Sequence, residues 1–119
     1  MKHHEDRAIE YVRHMLEAIG HITGYTMGMD EAAFRANRLV RDAVILNIQI
    51  VGEAAHRVMR YAPQFAAAHA DIPWKDAYDV RNHLSHGYDH VNLPIVWNLV
   101  VSELPALAVR LRPLVTAAD

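Results

Sequence analysis

Between Arg81 and Tyr88 the sequence reads Arg-Asn-His-Leu-Ser-His-Gly-Tyr, which gathers Arg81, Asn82, Ser85, His86 and Tyr88 within eight residues of an otherwise apolar half. At 100° per residue on a helix these five positions share an arc of about 160°, and Ala77, Val80 and Leu84 fall on the opposite side. One side of such a helix is core, and the other displays chemistry. Arg81 is permanently charged and presents a planar fork of donors that suits a phosphate. His86, with an ordinary pKa near ~6.5, can take or give a proton at neutral pH. Together they can hold a phosphodiester and move its protons. Tyr88 adds a ring for stacking and a hydroxyl for hydrogen bonding, while Asn82 and Ser85 can orient their neighbours.

The elements that must position these residues follow from periodicity. Ile9, Val12, Leu16 and Ile19 recur at helical spacing and predict an amphipathic helix from Arg7 to Ile22. Gly20, Gly24, Thr26 and Gly28 then predict a turn, after which Asp30 can cap a short helix from Glu31 to about Ala36. A long helix is predicted from about Arg38 to Arg60, although Ile45 to Val51 is rich in β-branched residues. Length and good helix formers on both sides decide for a helix. Its middle is apolar nearly all round, which in so small a chain predicts a partner surface and hence a dimer. Asn47, Gln49 and Glu53 are its polar exceptions, expected to pair within the core or across the dimer.

Pro63 and Pro73 bracket a connecting segment from which Phe65 should pack back onto the core. The helix that carries the Arg81 motif is expected to start near Trp74, an aromatic better suited to core anchoring than to base stacking, and to end at Gly87. Asn92 should cap the last helix with Pro94 in its first turn. The buried stripe there is Val96, Leu99, Val100, Leu104, Leu107, Leu111 and Leu114, with a kink expected at Pro105. The fold expected is all-α, a compact antiparallel bundle of about four to five helices dimerising through helix faces, with residues 1–119 as one domain and its core at about 5–114.

Composition narrows the function. With 119 residues and 52% hydrophobic content the chain can build a core without disulfides, and zero cysteines remove thiol catalysis and thiolate metal sites. No apolar run approaches ~18 residues and the N-terminus has no apolar signal core, so the expectation is a cytoplasmic protein with no membrane partner. A net charge of -2 argues against a broad electrostatic grip on nucleic acid. A local patch can still form from Arg35, Arg38, Arg41, Arg57, Arg60 and Arg81. Nine histidines invite a metal reading, and His83, His86 and His90 have spacings of three and four. Gly87 interrupts that series and no helical His-Glu-x-x-His pattern exists, so no metal and no cofactor are expected. His3 and His4 are expected to be disordered.

Arg81, four residues, His86, one residue and Tyr88 resemble the R-x(4)-H-x-Y signature of the HEPN superfamily, with Asn82 in its usual place after the arginine. The segments IVGEAAHRV from Ile50 to Val58, IPWKD from Ile72 to Asp76 and VWNLVVSELPAL from Val96 to Leu107 resemble the HepT branch in order and spacing. The resemblance covers about residues 5 to 114. It implies the toxin of a type VII-like toxin–antitoxin pair, a metal-independent endoribonuclease. Its antitoxin would be a nucleotidyltransferase of the MNT type that neutralises it by transferring AMP to the motif tyrosine, here Tyr88.

One motif copy offers one arginine and one proton carrier, whereas RNA cleavage by its own 2′-OH needs both a base and an acid. The resemblance implies a composite cleft in a homodimer, with Arg81 on the scissile phosphate, His86 moving the proton, Tyr88 stacking or orienting RNA, and Asn82 and Ser85 in support. A second reading makes the motif a non-catalytic binding and modification platform whose Tyr88 accepts AMP, with Arg81 and His86 guiding the nucleotide phosphates. A third is a structural helical adaptor.

Overall fold

The computed structural model describes residues 2–84 and 91–119, with the backbone alone for residues 2–3 and 81–83. Among the described residues every regular element is helical. The first helix, α1 (Lys2–Thr26), outruns its apolar repeat at both ends. Gly20 and Gly24, expected to mark a turn, lie inside it. A glycine costs a helix about 1 kcal/mol against alanine, which the burial of Ile19, Ile22 and Thr26 offsets. Thr26 Oγ1 also donates to the Ile22 carbonyl at 2.8 Å. The chain turns at Gly28 instead, whose φ of 78° lies in the left-handed region that glycine enters freely. His4, expected to be disordered, is part of α1, and its Nδ1 donates to the Tyr61 carbonyl at 3.0 Å.

Asp30 caps α2 (Glu31–Ala36) by accepting from the Ala33 amide at 2.8 Å, as its position predicts. Asn37 then accepts from the Val40 amide at 3.0 Å and starts α3 (Arg38–Tyr61). The β-branched run is helical throughout, and Val44, Ile45, Ile48, Val51 and Val58 are buried. Buried Asn47 is satisfied within the helix, donating from Nδ2 to the Ala43 carbonyl at 2.9 Å. The connection between Pro63 and Pro73 contains a short helix, α4 (Pro63–Ala68), which Pro63 opens in its first turn.

Trp74 begins α5 (Trp74–Leu84) as an anchor. It is 5% exposed, its ring lies against Phe65, and its Nε1 donates to the His69 carbonyl at 3.1 Å. That leaves no open ring face for a base. The last run comprises α6 (Leu93–Asn98), capped by Asn92, then a π-helical turn (Leu99–Glu103) and α7 (Leu104–Ala118). The distortion expected at Pro105 takes the form of this π turn. Pro105 has no N–H and its ring crowds the preceding turn, and the wider turn, closed by Leu104 N–H to the Leu99 carbonyl, meets both conditions.

The long elements alternate in direction. The start of α1 meets the end of α3 through His4 and Tyr61, while Tyr11 lies 6.5 Å from the Tyr61 ring. The end of α7 returns to α1, where the Arg13 guanidinium donates to the Asp119 carboxylate at 2.5 Å, a bond that raises the arginine pKa above its usual value. Phe65, just past α3, touches Trp74, and His56, earlier in α3, touches Tyr78, so α5 runs antiparallel to α3. Thus α1 packs along α3 and α7, and α3 along α5. Leu93–Ala118 is apolar and long enough to cross a membrane by length and composition, with a mean hydropathy of 1.3, a property hidden from run-reading by interspersed polar residues and prolines. Here its Leu104, Leu107 and Leu111 are buried in the bundle core.

Candidate active site

The motif begins in the last described turn of α5, and the other side of that helix explains how it is held. Leu84 is 7% exposed, and Ala77 and Val80 pack half-buried against the core. These are the three positions that the helical arc places opposite the motif. A helix locked on that side has its rotation fixed, and on its wheel position 82 lies about 170° from the middle of that apolar edge while position 81 lies about 70° from it. Of the remaining motif residues, Ser85, His86 and Tyr88 lie outside the described residues, as do Gly87, with the expected helix end, and His90.

Two residues that sequence reading passed over adjoin the motif. Tyr78 stands three and four positions before Arg81 and Asn82, on the same helix side and one turn earlier. Its ring stacks on His56 of α3 at a centroid separation of 4.5 Å and an interplanar angle of 28°. Both are half-buried. The stack therefore ties the motif side of α5 to α3, where the apolar residues tie the other side. The available signal was the spacing itself: Tyr78, Asn82 and Ser85 form a continuous i, i+4, i+7 line that enters the motif.

Half of the expected arginine patch is paired with carboxylates. Arg35 pairs with Glu31 at 3.8 Å, Arg38 with Asp42 at 3.7 Å and Arg57 with Glu53 at 3.8 Å, all one turn apart. Arg60 lies over the Tyr61 ring at 5.5 Å. Each exposed pair contributes only about 0.3–0.5 kcal/mol, yet it screens the field that an incoming phosphate would meet. Three of the six expected arginines are thus paired with carboxylates, which weakens a broad basic surface along α2 and α3.

The outer side of α3 carries an apolar line. Leu39, Leu46 and Ile50 are 81%, 57% and 40% exposed, and Ala43 stands between them. Spacings of four, three and four make this a seam of the kind helices bury against one another. On the wheel of α3 it lies beside the edge that carries Glu53 and His56, next to α5.

A family profile described as Ribonuclease HepT-like matches residues 15–114. Among curated proteins, the chain is 34% identical over 97 residues to one from Methanocaldococcus jannaschii named "Gamma-glutamylcyclotransferase and putative RNase". That alignment covers 82% of this chain and 42% of the relative, so the chain spans less than half of that relative's length. It is 29% identical over 98 residues to the "Probable ribonuclease HepT" of Thermococcus cleftensis, covering 82% of this chain and 86% of that one. No solved structure matches the chain.

Proposed function

This chain belongs to the HepT-like ribonuclease family, and on that footing we propose that it is a metal-independent endoribonuclease, the toxin of a toxin–antitoxin pair, with an active site composed across a homodimer. The observation that carries the reading is that α5, which holds Arg81 and Asn82 at the start of the R-x(4)-H-x-Y motif, is clamped to the core by Ala77, Val80 and Leu84. Catalytic groups need a rigid base, and this helix supplies one. The exposed seam of Leu39, Leu46 and Ile50 supports a second copy packing on α3, which would bring two motifs to one cleft.

In that cleft His86 of one protomer takes the proton of the RNA 2′-OH, and the 2′-oxygen attacks the neighbouring phosphorus. The bond to the 5′-oxygen breaks, and the partner's His86 donates a proton to that leaving oxygen. The products are a 2′,3′-cyclic phosphate and a free 5′-hydroxyl, so atoms and protons balance without an added nucleophile. Arg81 offsets the charge that builds on the phosphoryl oxygens. Asn82 and Ser85 hold the imidazole, and Tyr88 stacks on or orients the strand. An MNT-type nucleotidyltransferase would switch the site off by placing AMP on Tyr88, where bulk and negative charge oppose the entry of RNA.

The test is cleavage of RNA in excess chelator by the purified protein, together with its intact mass after co-expression with the nucleotidyltransferase. Wild type should cleave, His86→Ala and Arg81→Ala should lose about 10²–10⁴-fold in rate at unchanged Tm, and AMP-sized mass gains should vanish in Tyr88→Phe. Cleavage that persists in His86→Ala refutes the mechanism. AMP transfer without any cleavage would leave the modification platform as the function.

A further inference from the structure

We propose that Arg41 is a second phosphate-binding residue, holding a phosphate of the RNA strand other than the one under attack. This rests on the ribonuclease reading for the identity of the ligand, and on the structure for the site. Arg41 is half-buried in α3, and its Nε is buried without a hydrogen-bond partner among the described residues. Arg35, Arg38 and Arg57 on either side each have a carboxylate within 4.0 Å, and Arg41 has none among the described residues. A guanidinium with a dry, unpaired N–H costs folding free energy that an apolar side chain would not. Such a cost is understandable where an anion arrives to offset it.

Its place in the fold says which anion. Arg41 shares a side of α3 with Ile45, Ile48 and Gly52, at spacings of four, three and four. That side faces the gap between α5 and the last helical run, where Ile48 and Val51 floor a mostly apolar groove bordered by Ala77, Val80 and Leu104 and also by Asp76 and Glu103. The stack of His56 on Tyr78 sets the antiparallel register, which puts position 81 level with about Glu53. Arg41 is then about twelve residues, or ~18 Å, further along α3 in the direction α5 travels. Two arginines so far apart cannot share one phosphate. They can hold two phosphates of one strand that runs from the α5 motif along α3, whereas a mononucleotide could reach only one of them.

The test measures binding of a 2′-O-methyl RNA oligonucleotide, which cannot be cleaved, as a function of salt. Arg41→Met should weaken binding about five- to tenfold at ~0.1 M salt and reduce the slope of log affinity against log salt by about 0.7, the value of one single-strand phosphate contact. Its Tm should be unchanged or higher, because the buried unpaired Nε–H is gone. Arg41→Lys, which keeps charge without the fork, should fall between. An unchanged slope overturns the proposal, as does an unfolded Arg41→Met beside an Arg41→Lys that binds like wild type. Pyrophosphate and ATP, tested by thermal shift, separate this from the nuclease reading. Pyrophosphate stabilisation that Arg41→Met abolishes, in a protein that ignores RNA, would keep the anion site and reject the ribonuclease. Dependence on Arg41 for ATP alone would overturn the strand assignment, and no dependence for any of the three would overturn the site.

Discussion

Replacing Leu46 by Ala tests whether the exposed line on α3 is the dimer seam. Leu46 is 57% exposed, so a partner can cover a little over half of its side chain. Full burial of a leucine side chain is worth roughly 1.5–3 kcal/mol, which leaves about 1–1.5 kcal/mol for each copy at the seam. Twofold symmetry counts it twice, giving about 2–3 kcal/mol, or roughly a 30- to 150-fold weaker dimer. The folded protomer should hardly notice, because the side chain already faces water there. Sedimentation velocity across a dilution series reads the dissociation constant, and cleavage measured over the same concentrations should fall in step with the dimer. A dimer that dissociates as in wild type would refute the seam. A Leu46→Ala protein that loses several degrees of Tm as a monomer would show instead that the residue serves its own bundle.

Trp74→Ala should cost about 3–5 kcal/mol in denaturant unfolding, since it empties a 5%-exposed site and removes one of the two donors, Nε1 and the Ile72 amide, that the His69 carbonyl accepts from. Trp74→Phe should recover the packing and lack only the hydrogen bond. Tyr78→Ala should lower the cleavage rate several-fold while RNA affinity stays near wild type, because the stack on His56 holds α5 in rotation; Tyr78→Phe, which keeps the ring, should restore the rate. Equal losses in both Tyr78 variants would assign the effect to the hydroxyl and not to the stack.

Much of the fold was legible because local chemistry and tertiary packing agree. Asp30 and Asn92 each cap a helix through a side-chain oxygen as expected, and the stripe from Val96 to Leu111 is buried as its spacing predicts, with Leu114 at its end only half-buried. The reading failed where tertiary contacts overrule a local preference. Gly20 and Gly24 are poor helix residues carried along by Ile19 and Ile22, and His4 is ordered by a carbonyl that lies 57 positions away in sequence. At the site, residue types announced the chemistry, but nothing in the sequence told that Tyr78 meets His56 or that the buried Arg41 Nε has no hydrogen-bond partner among the described residues. Those facts depend on how α5 and α3 are rotated against each other, which no single helix determines.

The π turn at Leu99–Glu103 shows what such rotation demands of chain length. Counted at 100° per residue, the buried residues up to its first half, Val96, Leu99 and Val100, centre about 80° away from those after it, Leu104, Leu107, Ala108 and Leu111. One supernumerary residue in the turn absorbs close to that angle. The first half of the run can thus address α2, where Trp97 lies 5.2 Å from Phe34, while the second half follows α1. Removing a single residue here would press Pro105 into a regular turn that it does not fit and at the same stroke turn one half out of phase with its neighbour. The spacing between Val100 and Leu104 is therefore a phase setting as strict as any side chain in the core, and length variation among related chains should be excluded from it or be matched by a shift of the apolar pattern on one side.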